Sequence, residues 1–488
     1  MTDQALMLAA VLLPFAGAAG ILLCDRWPNL REAVTLLTAG SLGLIVITLY
    51  RRMQDGAALA LQLAEPLPGL PLRLEIEPLG MLFALVASVL WLITSIYSIG
   101  YMRAHHEKNQ TRFYALFAVA IGSTMGVAFA GNLFTLFLWY EVLTVSTYPL
   151  VAHAGTPEAR RGARTYVTIL LGTSIGLQLL AILITYSFTG TLDFREGGIL
   201  AGKIDTAWAG LLFALFVFGI GKAAVMPFHL WLPSAMVAPT PVSALLHAVA
   251  VVKAGVFTVL KVTVYIFGTD FILQSGASDW LVWFAGATIL FASLVAMTKD
   301  NLKARLAYST VSQLSYIVLG ALLATQASIL GSVLHIAMHA FAKITLFFGA
   351  GAILVAAHKT EISDMAGLGR AMPVTFGAFF IASLSMIGLP PFGGMWSKWY
   401  LAMGTLEAGQ WLLLSVLLAS SLLNIAYLLP VPVRAFFGKA VDGTVYTQVR
   451  EAPASCLAAM IITSLACLVL FFYPEPFYQL AMTVAGAK

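Results

Sequence analysis

Charge is what this 488-residue chain has least of: Asp, Glu, Lys and Arg make up 10% of it, against 60% hydrophobic residues. A soluble globular domain carries roughly 25% charged residues. A soluble chain of this length would divide into several domains with charged surfaces, and there are too few charges here to cover them. That argues against a secreted enzyme, a nucleic-acid binder and a disordered regulator. The formal net charge of +5 builds no basic face, because the charges fall between apolar segments, as topology determinants do. Cysteine is nearly absent. Cys24, Cys456 and Cys467 are the only three, and none forms a C-x-x-C pair. This argues against a disulfide framework and a thiolate metal site. Also missing are G-x-x-x-x-G-K-[ST], G-x-G-x-x-G and haem or iron–sulfur spacings, so no cofactor and no redox or hydrolytic chemistry are expected in the chain itself. The N-terminus, MTDQALMLAAVLLPFAGAAGILLC, has no basic n-region and no clear cleavage site. It reads as a retained first span.

Long apolar runs are what the chain does have. A bilayer core of about 30 Å takes roughly 20 apolar residues in a helix. Fourteen such segments occur, at about 4–23, 32–50, 79–102, 113–131, 132–152, 165–189, 207–228, 241–268, 279–298, 305–324, 327–357, 372–402, 409–433 and 453–473. Lipid admits no unpaired backbone, so they are expected to be helices. The fold class is therefore an all-α polytopic membrane protein with about 14 transmembrane helices in a cell (inner or plasma) membrane. With the N-terminus outside, Arg26, Arg31, Arg103, Lys108, Arg112, Arg160, Arg161, Arg164, Lys299, Lys303, Arg305, Lys359, Arg370, Arg434, Lys439 and Arg450 fall on the cytoplasmic side. Only Arg51, Arg52, Arg73, Arg195, Lys203 and Lys488 fall on the other. The positive-inside rule then places both termini outward.

That sorting leaves Lys222, Lys253, Lys261, Lys343 and Lys398, all in or at the ends of spans. Glu141 is the one acid deep in a span, and His247, His335 and His339 join it. Ionisable groups inside a membrane are costly and functional by default. Prolines mark interruptions: Pro227 ends the seventh segment, Pro239 and Pro241 precede the eighth, and Pro390 and Pro391 lie in GLPPFGG within the twelfth. The twelfth segment should be broken at mid-depth, and broken helices are a recurrent ion-site device. Lys222 and Lys398 adjoin proline breaks five segments apart, which points to an inverted repeat.

Each candidate has a plain alternative. Glu141, in GNLFTLFLWYEVLTVSTYPLV, could exchange a proton if burial and a nearby lysine balance, or it could fix helix packing in a structural pair. Lys222, in FALFVFGIGKAAVMPFHLWLP, could carry a switchable proton or snorkel to the interface. His247 and Lys253 are six residues apart, about 9 Å along a helix, which suits a water-bridged relay. His247 alone could equally be hydrogen-bonded packing. Lys261 is assigned to the outer interface. His335, His339 and Lys343 recur at i, i+4 and i+8, a ladder on one helix face. The spacing H-I-A-M-H lacks the glutamate of a metalloprotease motif, so a proton relay is preferred and no metal is expected. Lys398, in GLPPFGGMWSKWYL, could be a terminal proton site or an interfacial lysine in an aromatic belt of Trp396, Trp399 and Tyr400.

These stretches resemble the antiporter-like membrane subunits shared by respiratory complex I, membrane-bound hydrogenases and Mrp cation/proton antiporters. The resemblance is carried by NLFTLFLWYEVLTVSTYPLV, GIGKAAVMPFHLWLPSAMVAPTPVSALLHA, KDNLKARLAYSTVSQLSYIVLG, HIAMHAFAKITLFFGAG and GLPPFGGMWSKWY. It implies an N-terminal three-helix segment (1–112), two inverted five-helix repeats (113–268 and 279–433), broken helices 7 and 12, and a C-terminal helix (434–488). It also implies a Glu–Lys pair at Glu141 and Lys222, a central row of His247, Lys253, His335, His339 and Lys343, and a terminal Lys398. The chain length is similar to that of the Mrp D-type subunit. The expected function is proton translocation, with or without Na⁺ coupling, by one subunit of a larger membrane complex whose other membrane subunits and lipid are its partners. The alternatives are a proton channel of a redox-driven complex (complex I or hydrogenase type), a coupling subunit for inorganic-carbon uptake, and an independent transporter of an organic substrate.

Overall fold

The computed structural model describes residues 2–439, 446 and 448–486; Lys488, counted above as an outer-side charge, lies outside them. Among the described residues twelve helices are long and apolar enough to cross a membrane. In chain order the bundle begins with α1 (Asp3–Leu23), α2 (Pro28–Gln54), α3 (Pro78–Ala104), α4 (Gln110–Ala128), α5 (Leu133–Val151) and α6 (Pro157–Thr189). It continues with α7 (Thr206–Gly219), α8 (Thr240–Phe267), α9 (Leu281–Thr298), α10 (Leu302–Leu323) and α11 (Gln326–Ala357). The last are α12 (Pro373–Ile387), α13 (Gly394–Glu407), α14 (Trp411–Leu428), α15 (Ala454–Phe472) and the short α16 (Glu475–Val484). The seventh and twelfth apolar segments fall outside the twelve because both are interrupted. Helix α7 stops at Gly219, and α12 stops at Ile387 before resuming as α13.

Burial sorts the helices. Every residue of α8 is buried, as is all of α11 from Ser328 to Ile353. These two carry most of the buried lysines and histidines and stand at the centre. The periphery is greasy: Leu37 on α2, Val145 on α5 and Leu422 on α14 are among its exposed side chains, as a lipid- or partner-facing surface requires.

Two features were not anticipated. Residues between the second and third spans form an antiparallel hairpin, β1 (Ala60–Leu67) with β2 (Leu70–Glu75). Its turn uses Gly69 at φ +79°, a conformation glycine adopts freely. The hairpin is pinned to the α4–α5 turn by Glu75 N–H to Phe129 O (2.7 Å) and Gly131 N–H to Arg73 O (2.9 Å). Asp3 lies 3.8 Å from Arg52, and Thr483–Gly486 share a cavity with Glu75 and Glu77. Both ends of the described chain therefore lie at the hairpin's pole. The second feature concerns the prolines of the eighth segment. Pro239 and Pro241 do not break a helix: Pro239 precedes α8 and Pro241 occupies its first turn, where a missing N–H costs nothing. The irregularity in α8 lies further on, where Ala250 N–H bonds Leu245 O (3.0 Å) five residues back. This widened turn contains His247.

Candidate functional site

The first break is stitched by side chains. Past Gly219 the chain makes a single turn over Gly221–Ala223, so Lys222 sits in the interruption itself rather than on the helix. Backbone groups freed in a membrane must find other partners. Trp231 Nε1 donates to Gly221 O (2.9 Å), Lys222 N donates to the Tyr140 hydroxyl (3.2 Å), and Met226 N donates to Thr288 Oγ1 (3.2 Å). The Lys222 amine is fully buried. It donates to Tyr140 O (2.9 Å) and Thr144 Oγ1 (2.5 Å) and lies 3.1 Å from the centre of the Tyr140 ring.

Lys222 therefore docks on α5 but not on Glu141. The implied Glu141–Lys222 ion pair is not formed: among the described residues no carboxylate lies within 4.0 Å of Lys222. Tyr140 and Thr144 are four residues apart and share one face of α5, while Glu141 is turned about 100° away from Tyr140. Both Glu141 carboxylate oxygens are buried without a hydrogen-bond partner, on a flank whose neighbours Leu138, Val142 and Val145 are exposed.

The second break repeats the pattern. Gly388 ends α12 at φ +92°. Lys398, on the first turns of α13, reaches back to donate to Ile387 O (3.1 Å) and Ser421 Oγ (3.2 Å), 5.1 Å from the Tyr316 ring centre. Its amine turns toward the break and not outward with Trp399. Each interruption thus holds a lysine over a tyrosine, Tyr140 of α5 and Tyr316 of α10.

Between the breaks lie the central residues. Lys253 of α8 sits 2.6 Å from His339 Nδ1 of α11. The contact runs between helices, and no direct bond joins Lys253 to His247, as the six-residue spacing requires. His247 has no partner at either ring nitrogen and packs on Phe347 at 4.6 Å. His335 and His339 have ring centres 5.7 Å apart, close to the pitch expected of the ladder. His335 meets Ser397 Oγ (2.8 Å) and Gln313 Oε1 (3.1 Å), which ties it to α13 and α10. The Lys343 amine donates to Ser309 Oγ (2.8 Å). The buried histidines and lysines are thus gathered at the bundle's centre, but in separate hydrogen-bonded groups.

Lys261 lies at the hairpin's pole, in the cavity it shares with Glu75 and Glu77, but it is not exposed there. It is fully buried, with its amine 2.8 Å from Glu77 Oε1 and 4.3 Å from the Phe194 ring centre. The functional partners that sequence reasoning missed are neutral: Tyr140, Thr144, Ser309, Gln313, Ser397 and Ser421. Their signal was present as hydroxyls and amides at helical spacing, most densely in STVSQLSY (309–316).

Close approach of the two core elements depends on Gly255. A Cβ there would stand 2.3 Å from the Lys222 carbonyl carbon and 2.4 Å from the Ala223 nitrogen. Overpacking of this kind costs about 1–3 kcal/mol, and the helix propensity of alanine returns at most about 1 kcal/mol. Gly255→Ala is expected to lower stability by about 1–2 kcal/mol net. A lowered thermal midpoint of the purified protein would register it, and an unchanged midpoint would contradict the contact.

A bundle of interrupted helices around a central row of lysines and histidines defines a polytopic membrane protein of the antiporter-like type. More narrowly, the chain belongs to the NADH:quinone oxidoreductase/Mrp antiporter family, whose transmembrane region matches residues 130–424. Residues 69–114 also match the N-terminus of complex I chain 5. The chain is 34% identical over 419 residues to the N-type subunit of the NADH-quinone oxidoreductase of Desulforudis audaxviator, covering 83% of this chain and 82% of that one. It is 25% identical over 484 residues to the D-type subunit of the Na⁺/H⁺ antiporter of Alkalihalophilus pseudofirmus, covering 98% and 96%. A chain of the Mrp complex from Dietzia sp. superposes with a TM-score of 0.87 at 24% identity, over 100% of this chain and 97% of that one. The last likeness establishes the fold.

Proposed function

We propose that this chain is a proton-translocating subunit of a multi-subunit membrane complex. Protons enter near Glu141 and Lys222, pass His247, Lys253, His335, His339 and Lys343, and leave near Lys398. One observation carries this proposal. Lys222, Lys253, Lys343 and Lys398 have only neutral partners, namely backbone carbonyls, hydroxyls and an imidazole. A carboxylate partner would hold an amine charged, whereas neutral acceptors hold it in either protonation state. Moving one proton against 100 mV costs about 2.3 kcal/mol, a scale that rearranging one buried charge can meet.

The two breaks, each with its lysine over a tyrosine, support two inverted repeats over 113–268 and 279–433, flanked by the segments 1–112 and 434–488. The pole opposite the hairpin gathers Arg103, Lys299, Arg305 and Arg434. By the positive-inside rule it is cytoplasmic, which puts both termini on the outer side of the cell membrane.

A second assignment has support of its own. Identity is higher to the N-type subunit of the quinone oxidoreductase, while the likeness to the D-type subunit of the antiporter spans nearly the whole of both chains. The first makes the chain a proton channel in a redox-driven machine, the second a part of an Mrp-like antiporter. Affinity isolation of the tagged chain from its host membrane in mild detergent, followed by mass spectrometry, separates them. Small hydrophobic antiporter subunits without redox partners are expected for the Mrp-like complex. Flavin or iron–sulfur subunits would establish the redox-driven one. A chain that purifies alone and transports alone would overturn both.

A further inference from the structure

Lys343 is the central lysine whose bonds lead away from the row. Its amine donates to Ser309 Oγ of α10 (2.8 Å), and the Tyr427 hydroxyl of α14 lies 3.0 Å from the same oxygen. Tyr427 also makes a close hydrogen bond to Asn424 Oδ1 one turn back. All four residues are fully buried.

The proton count orders these contacts. A tyrosine hydroxyl has one proton to give, and an amide oxygen has none. Tyr427 therefore donates to Asn424 and receives the proton of Ser309, which in turn receives from Lys343. The result is a directional chain, Lys343 to Ser309 to Tyr427 to Asn424. At its far end the Asn424 Nδ2 is buried with no acceptor among the described residues. An orphaned amide donor costs about 1–3 kcal/mol, and a bound water relieves that cost at a polar site.

Tyr427 lies one turn nearer than Asn424 to the basic-residue end of α14. Tyr427 is in the last turn of α14, where Arg305 donates to its carbonyl (3.0 Å) and to Lys299 O (2.8 Å). Arg305 also lines a cavity of about 550 Å³, together with Asp300, Ala426 and Arg434. This is the pole that carries the basic residues.

We propose that Ser309, Tyr427 and Asn424 form a proton branch connecting Lys343 to the basic-residue pole of the bundle, so that the central row has a second access point within helices α10, α11 and α14. The proposal rests on the proton-translocating function stated above. In the step itself, an ammonium proton of Lys343 passes to Ser309 Oγ and the Ser309 proton passes to Tyr427 Oη. The Tyr427 proton leaves to water beside Asn424. Only N–H and O–H bonds change, and one proton leaves for each that enters. The reverse sequence loads Lys343.

The test uses the whole complex in everted membrane vesicles, with proton movement followed by a pH-sensitive dye and complex content by co-purified subunits. Tyr427→Phe keeps the ring and removes the relay oxygen. It is expected to assemble normally and to transport at least about tenfold more slowly, since a positioned proton donor contributes on that scale or more. Ser309→Ala should behave alike, and Ser309→Thr, which restores a hydroxyl, should recover most of the rate. Wild-type transport in Tyr427→Phe, with Lys343→Met inactive, would overturn the branch while leaving the central row in place. Loss in Ser309→Thr equal to that in Ser309→Ala would also overturn it, by reducing Ser309 to a packing role. Full transport in Lys343→Met and Lys222→Met together would instead overturn the proton-translocating function itself. If Tyr427→Phe does not assemble, the Ser309 pair decides alone.

Discussion

Lys253→Met abolishes proton translocation, lowering it at least about 100-fold, while the complex still assembles. The first half follows from position. Lys253 lies on the fully buried α8, and its amine at 2.6 Å from His339 joins that helix to α11. Without the amine the His335–His339 ladder has no proton donor on the side of the first break. The second half follows from what the amine lacks. Removing one member of a buried ion pair strands the other charge and is strongly destabilising. Among the described residues Lys253 has no carboxylate within 4.0 Å, so its removal strands no charge and leaves only the His339 Nδ1 without its partner. Methionine preserves the stem volume and fills irregular gaps well. Dye quenching in everted vesicles, normalised to complex content, measures the loss. Wild-type transport by an assembled Lys253→Met complex would remove Lys253 from the path.

The same reasoning bears on Glu141. Its carboxylate has no bonded partner and Lys222 is held elsewhere on the same helix. Bringing the two together requires Lys222 to release Thr144 and swing around α5. Under the function proposed above, an unpaired buried carboxylate on the helix that holds a lysine by neutral partners would act as a switch with its contact open. Closing it would supply an electrostatic change of the size that moving a proton demands. The partly exposed flank of α5 also leaves room for a neighbouring subunit to reach Glu141.

Much of this was legible in the residues, for identifiable reasons. Spans are visible because a helix in lipid must be apolar along its length. The twelfth segment's break is visible because Gly388 and Pro390–Pro391 cannot continue a helix. The His335–His339–Lys343 face is visible because helical periodicity is local. What was not legible depends on the register between helices, which no single segment contains. Lys222 meets Tyr140 and Thr144 rather than Glu141 because α7's break abuts one face of α5 and not its neighbour. The direct bond from Lys253 to His339 is of this kind, because it depends on how α8 and α11 meet. The hairpin at 60–75 went unread because its alternation is short and bounded by helices on both sides.

Lys261 provides the contrast that gives the neutral-partner rule its meaning. It too is a fully buried lysine on α8, two turns beyond Lys253, yet Glu77 stands 2.8 Å from its amine. Glu77 is heavily engaged. It accepts from Leu79 N (2.9 Å) and Gly80 N (2.7 Å) at the start of α3 and from the Tyr265 hydroxyl (2.7 Å). Such a pair locks α3 to α8 and holds its charges fixed. Glu77→Ala would leave the Lys261 cation against Phe194, Phe257 and Tyr265 and uncap α3. Breaking a buried pair costs about 3–5 kcal/mol and losing an N-cap about 1 kcal/mol, so this substitution should be the most destabilising of those considered. Replacing both members, as Glu77→Gln with Lys261→Met, leaves no stranded charge and keeps a capping oxygen. The double variant should therefore recover most of the lost thermal midpoint and retain transport, which no substitution at Lys253 would do. A double variant as unstable as Glu77→Ala would mean that Lys261 is needed for something other than its pair. A stable double variant without transport would move Lys261 into the proton path.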